Sequence, residues 1–161
     1  VAGSRNATTG GPDMKHAAAE RGLHAGLLLL RVGVGTMFLL VHGGPKLLGG
    51  PPVWEKVGGA MAVVGLSAFP VVWGFLAAAS EGVGGLCVAL GIFARPAAFL
   101  MTATMAVAST MHISHGDGLQ TASHAMEAGI VFAALLLTGP GRYSLDRWLA
   151  ERARGPRHHP S

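Results

Sequence analysis

The stretch that decides the fold is LHAGLLLLRVGVGTMFLLVH, residues 23–42, an apolar run with an arginine near its middle. At about 1.5 Å of rise per residue, its length matches the roughly 30 Å hydrocarbon core of a bilayer. Arg31 is therefore predicted near mid-membrane, where an arginine costs about 2.5–3.5 kcal/mol on insertion scales. Such a residue is tolerated when it faces a bundle interior and meets a counter-charge, and it marks a functional site by default. We therefore expect acidic partners for Arg31 on other helices.

The composition is typical of a membrane protein. Of the 161 residues, 50% are hydrophobic and 12% are charged, about half the charged share of soluble domains. The 25 glycines suit helices that pack closely inside a bilayer. Cys87 is the single cysteine, which excludes an intrachain disulfide or dithiol pair. The net charge of +4 comes largely from the C-terminal tail and bears on membrane topology, so no nucleic-acid partner is expected.

Three further apolar runs complete the predicted fold, an all-α integral membrane four-helix bundle with a short interfacial helix between spans 1 and 2. The spans are predicted at about 23–42, 71–93, 96–112 and 120–138. HGGPKLLGGPP (42–52) is predicted to break the first helix, and 53–69 to form the interfacial helix with Trp54 as an anchor. We divide the chain into a flexible or partner-bound tail (1–20), the bundle (21–148) and a basic tail (149–161).

Local signals in the second and fourth spans predict their ends and their packing. Pro70 is well placed to open the second span, and Gly139 followed by proline to close the fourth. Gly74, Ala78 and Gly82 form a stripe of small residues at a spacing of four, which predicts close contact with another helix.

Lysine and arginine are distributed unequally between the two sides of the predicted bundle. Four spans place both termini on one side, together with nine basic residues: Arg5, Lys15, Arg21, Arg95, Arg142, Arg147, Arg152, Arg154 and Arg157. The connection between the first two spans holds Lys46 and Lys56. The positive-inside rule therefore predicts that both termini are cytoplasmic.

Glu81 and Glu127 lie well inside the second and fourth spans and are the predicted partners of Arg31. His42 shares a helical face with Arg31, and His124 shares one with Glu127. We therefore expect one internal column of these five side chains. One arginine cannot compensate two carboxylates, so one carboxyl should hold a proton, as a quinone site or a proton relay requires. The alternative is a structural Arg–Glu pair that only joins helices.

The turn MHISHGD, residues 111–117, offers candidate metal ligands in His112, His115 and Asp117. Their spacing matches no defined metal motif. Interfacial histidines and a helix cap by Asp117 are the favoured interpretation, so we predict no metal site.

Three stretches together resemble the DoxX family of small bacterial membrane proteins: 28–47, 81–101, and an acidic residue in the fourth span followed by GPGRYSLD (139–146). The matching positions are Arg31, His42, Gly43, Lys46, Glu81, Gly84, Gly85, Arg95 and Glu127. The resemblance implies a four-helix bundle in the bacterial inner membrane. Members of the family include subunits of thiosulfate:quinone oxidoreductase and a component of membrane-associated oxidative-stress complexes. The N-terminal tail and the HISHGD turn fall outside the pattern.

The residues and the resemblance together lead to a functional hypothesis. We expect a redox-linked subunit in which Arg31, Glu81 and Glu127 are catalytic and His42, Lys46 and His124 contact a quinone. Other membrane protein subunits are then expected as partners, besides the lipid bilayer. The alternative is a non-catalytic accessory or assembly subunit of a larger membrane complex.

Overall fold

The computed structural model describes residues 14–154, and these residues form helices and short connections. The elements are α1 (Met14–Met37), a π-helical turn (Phe38–Gly43), α2 (Gly44–Leu48), α3 (Gly50–Gly58), a 3-10 segment (Gly59–Val64), α4 (Pro70–Leu90), α5 (Ala94–Ser114), α6 (Leu119–Thr138) and α7 (Leu145–Ala153). Met14–Leu48, α4, α5 and α6 are long and apolar enough to cross a membrane. The predicted all-α fold with four spans is thereby confirmed.

The helices extend further than predicted at both ends of the described chain. Residues 14–20 belong to α1, and 149–153 belong to α7. The remaining parts of the two predicted tails, 1–13 and 155–161, lie outside the described residues. Gly139 follows the last residue of α6, as predicted, with φ +74°.

The first span does not break at HGGPK but continues through it. Pro45 has no N–H, so an ordinary α-helical bond to the carbonyl four residues back cannot form there. The residues just before Pro45 form a π-helical turn, in which the Gly44 N–H donates to the Leu39 carbonyl, five residues back. The bend comes later, at Gly50, whose φ of +69° favours glycine. Lys46, expected in a loop, therefore lies on a helix.

The first span and α3 run antiparallel to α4 along its whole length. A Cβ atom on any of four glycines (Gly35, Gly43, Gly58, Gly74) would collide with backbone across this interface. Gly35 meets Gly85, Gly43 meets Gly82, Trp54 meets Gly74, and Gly58 meets Pro70. The predicted small-residue stripe on α4 is thereby confirmed as a contact face. The short helix predicted at 53–69 is found as α3 (Gly50–Gly58) followed by the 3-10 segment, and it packs lengthwise on the first turns of α4. The indole of Trp54 donates to the Lys46 carbonyl, so its observed contact is inside the protein.

The length of α4 gives a depth scale for the site. Its 21 residues rise about 31 Å, roughly one hydrocarbon core. We call the end with the α4–α5 turn and α7 the terminal end, and the end with the 3-10 segment and the α5–α6 turn the loop end. Glu81 lies near the middle of α4. The densest core, including Met101, Met105 and Phe132, lies between α4, α5 and α6.

Candidate functional site: an ion pair beside a membrane cavity

Lys46 and Glu81 form an ion pair close to mid-depth. Nζ of Lys46 donates to Oε2 of Glu81 at 2.5 Å. The Glu81 side chain is 4% exposed and that of Lys46 is 30% exposed. An unpaired charge in hydrocarbon has a large desolvation free energy. The attraction between the ammonium and the carboxylate offsets part of that free energy for both groups. The indole Nε1 of Trp54 donates to the Lys46 carbonyl oxygen at 2.9 Å, which fixes the backbone that carries the lysine.

The π-helical turn places two rings beside this ion pair. Phe38 and His42 lie 4.8 Å apart between ring centroids. His42 also lies 5.7 Å from the ring of His124 on α6, and Phe38 packs edge-on against Phe132, also on α6, at 4.8 Å. The ion pair and His124 both act electrostatically on the His42 ring. A π-helical turn inside a helix often marks a functional site.

A cavity of about 1150 Å³ borders the ion pair. It is lined by α3, the 3-10 segment, α4 and α5, and apolar side chains form most of its walls. Ser80 and Thr104 add a polar spot near mid-depth, where the Thr104 hydroxyl donates to Ser80 Oγ at 3.1 Å. Small-molecule sites typically enclose about 300–1,000 Å³ with a few placed polar groups. The cavity can therefore hold an amphiphile whose polar head meets the ion pair.

Arg31 is buried, at 1% exposure, but its position and partners differ from those predicted. Nη1 donates to the Val88 carbonyl at 3.4 Å and Nη2 donates to the Tyr143 carbonyl, while Nε finds no acceptor among the described residues. Its guanidinium packs against Gly91, just past α4, so it lies about 15 Å from mid-depth. Within residues 14–154 it pairs with no carboxylate. The expected convergence with Glu81 and Glu127 is wrong, and so is the alternative Arg–Glu clamp.

The segment 139–146 is what Arg31 holds in place. Asp146 donates its backbone N–H to the Gly91 carbonyl at 2.9 Å. Its carboxylate accepts from the N–H groups of Phe93 at 3.0 Å and Ala94 at 3.2 Å, which caps the start of α5. The same carboxylate acts electrostatically on Arg31. These contacts join the first span, α4, α5 and the segment 139–146 at the terminal end of the bundle. The sequence pattern predicts neither the role of Asp146 nor that of the Tyr143 carbonyl.

Glu127 lies on the outward side of α6 and is exposed, as is His124. The two residues share a face, as their spacing predicted, but that face does not point into the bundle. Only the His124 ring reaches back towards His42. Four of the six predicted site residues therefore lie together, and Arg31 and Glu127 lie elsewhere. Their catalytic or cofactor-binding roles stay predictions.

The candidate metal ligands make local contacts at the loop end. Nδ1 of His112 lies 2.7 Å from Oδ2 of Asp117, and Nδ1 of His115 lies 3.1 Å from the Met111 sulfur. In the part of the chain that the structure describes, no three histidine, cysteine or acidic residues are grouped as metal ligands.

Four apolar spans and an ion pair with a buried carboxylate near mid-depth define a multi-pass helical membrane protein with a polar site between its helices. The DoxX family model matches residues 26–114, more than half of the chain, so the protein belongs to the DoxX family. The match includes Arg31, His42, Lys46 and Glu81 and ends before α6. Comparisons with curated proteins and with solved structures found no match.

Proposed function

We propose that this DoxX-family protein is a membrane subunit that binds a quinone in the cavity, with the quinone ring against the Lys46–Glu81 pair. The observation that carries the proposal is the ion pair itself, which lies near mid-depth on the wall of a large apolar cavity. A purely structural pair needs no cavity beside it. A quinone combines a polar ring with an apolar tail, and both parts find matching surfaces here.

The ion pair supplies the two groups that quinone chemistry needs. The Lys46 ammonium donates a hydrogen bond to a quinone carbonyl oxygen and stabilises the negative charge that develops there on reduction. The Glu81 carboxyl exchanges a proton with the same ring. Reduction of a quinone to a quinol takes two electrons and two protons, and we assign the electron supply to a donor or partner subunit. In this proposal Lys46, and not Arg31, is the cation that acts on the quinone.

The charges at the two ends support the predicted orientation in a bacterial inner membrane. Arg95, Arg142, Arg147, Arg152 and Arg154 all belong to the terminal end. Lys46, which the sequence placed at the opposite side, is engaged in the ion pair. The removal of Lys46 from the charges of the loop end strengthens the bias that favours a cytoplasmic terminal end under the positive-inside rule.

A second candidate function, that of an accessory subunit without chemistry of its own, is favoured by one observation. Glu127 is exposed near the middle of α6, where a carboxyl that faces lipid is unfavourable. A protein neighbour on that face relieves the cost. This function needs no ligand in the cavity, so the two candidates differ in quinone binding.

Quinone binding to the purified full chain in lipid nanodiscs tests the proposal. Lys46→Gln removes one charged hydrogen bond, which is worth about 1.5–3 kcal/mol, so we expect the Kd for a short-tailed ubiquinone to rise about ten- to hundredfold. Glu20→Gln, on the exposed start of α1, is the matched control and should leave the Kd unchanged. Equal affinity of the Lys46→Gln and unmodified proteins would refute the site.

A further inference from the structure

Glu127 lies on the outward face of α6 without a recorded partner in residues 14–154, and the exposed His124 on the same side places its ring 5.7 Å from that of His42. Glu127 is the ninth residue of the 20-residue helix Leu119–Thr138 and so lies close to its midpoint. No ion pair or side-chain hydrogen bond reaches it within those residues. His124 lies one turn towards the loop end on the same face, also exposed.

A lipid environment does not satisfy these groups. A carboxylate or imidazole at this depth finds no water and no partner in acyl chains, and such groups almost always face protein or a water-filled cavity. From Glu127 towards the terminal end, the face carries large apolar side chains, with Ile130 at 69% and Leu137 at 79% exposure. The outward face of α6 therefore differs from that of α5, where the exposed mid-helix residues Phe99, Ala103 and Ala106 carry no charge.

We propose that the outward face of α6 is a dimer interface with a second copy of this chain, in which Glu127 of each copy accepts a hydrogen bond from His124 of the other. The argument for a second copy is self-complementarity. A two-fold interface brings residue i against j and j against i, so one face must supply both donor and acceptor. Glu127 and His124, three residues apart, are an acceptor and a donor on one side of the helix.

The proposal does not depend on the proposed function, because no quinone is involved. Polar side chains across transmembrane helices are each worth about 0.6–2 kcal/mol, so two reciprocal bonds give roughly a tenfold or larger effect on the dimer equilibrium. The His124 ring also lies 5.7 Å from the ring of His42, which is beside the ion pair. The proposed interface therefore adjoins the candidate site.

Cysteine crosslinking of the full chain in native membranes tests the interface. In a Cys87→Ala background, Ile130→Cys should give a crosslinked dimer of twice 16.4 kDa. Ala106→Cys, on the outward face of α5 and within about 6 Å of the same depth, is the control and should give none. Failure of Ile130→Cys to crosslink to itself, or crosslinking only to another protein, would overturn the proposal.

Mixing two variants tests the assigned bonds. Glu127→Leu alone and His124→Leu alone should each lower the dimer equilibrium constant about tenfold or more, because both bonds are lost. Glu127→Gln keeps an acceptor and should retain the dimer, which separates loss of the bond from misfolding. Co-expressed with different tags, the two leucine variants should recover a heterodimer, in which one His124–Glu127 bond remains. Absence of that recovery would refute the pairing.

Discussion

Nζ of Lys46 lies 2.5 Å from Oε2 of Glu81, and these two atoms join the first span to the middle of α4. The contact depends on the π-helical turn, which lets the first span stay helical through Pro45 and carry Lys46 alongside α4. It also depends on Gly43, whose backbone touches Gly82, one residue from the glutamate. The site is therefore built by a local backbone adjustment and a close helix contact.

The ion pair should show a marked asymmetry between single and double substitutions. Lys46→Met leaves Glu81 buried without its partner, and breaking a buried pair typically costs about 3–5 kcal/mol. Lys46→Met combined with Glu81→Met removes both charges, so the free energy of unfolding should return to near that of the unmodified protein. Unfolding by titration with a denaturing detergent measures this. A double variant as unstable as the sum of the two single losses would contradict the pairing.

The contact between Gly43 and Gly82 should tolerate no added methyl group. Gly43→Ala places a Cβ into the backbone of α4, and overpacking of this kind costs about 1–3 kcal/mol. Thermal unfolding of the purified protein should show a lower Tm. Gly33→Ala is the matched control, because a Cβ at Gly33 meets nothing within 4 Å. Equal Tm values for the two variants would contradict the observed helix contact.

The segment 139–146 should become less stably folded when the guanidinium group of Arg31 is removed. Arg31→Met removes the bonds to the Val88 and Tyr143 carbonyls, so the segment 139–146 should exchange its amide hydrogens faster. Hydrogen–deuterium exchange with mass spectrometry measures this. Arg21→Met, an exposed arginine of α1, serves as the control. If exchange in 139–146 is unchanged while the variant is folded, Arg31 does not hold that segment.

Much of the architecture could be predicted because apolar runs and breakers act locally. The four spans follow from hydropathy and length, and Pro70 and Gly139 lie at helix ends as predicted. The stripe containing Gly74 and Gly82 was recognised because small residues at a spacing of four have one main use in a membrane helix.

The register of the helices could not be predicted from the sequence. The apolar run 23–42 has no marker for where the hydrocarbon core begins, so hydropathy predicts Arg31 at the centre of the core, whereas it lies at the terminal end. The prolines and glycines after His42 predict a loop that includes Lys46, whereas the structure continues the helix through Lys46. Hydropathy does not detect a π-helical turn, because its cause is the backbone bond lost at Pro45.

The sequence also does not predict whether the polar face of α6 points into the bundle or away from it. The spacing of His124 and Glu127 predicts a common face, but an apolar helix with two polar residues can turn that face towards the bundle or away from it. In the structure Phe132 and Leu135 pack into the core, and this orientation of α6 leaves Glu127 exposed on the outward side.

Photolabelling with a quinone that carries a photoreactive group on its ring is the most direct test of the proposed site. The full chain in nanodiscs would be irradiated, digested and mapped by mass spectrometry. We expect label on the cavity walls near the ion pair, in 76–84 of α4 and 100–107 of α5, and we expect excess unlabelled ubiquinone to remove it. Label spread over the outward face of α6, or label that ubiquinone does not displace, would contradict quinone binding beside Lys46 and Glu81.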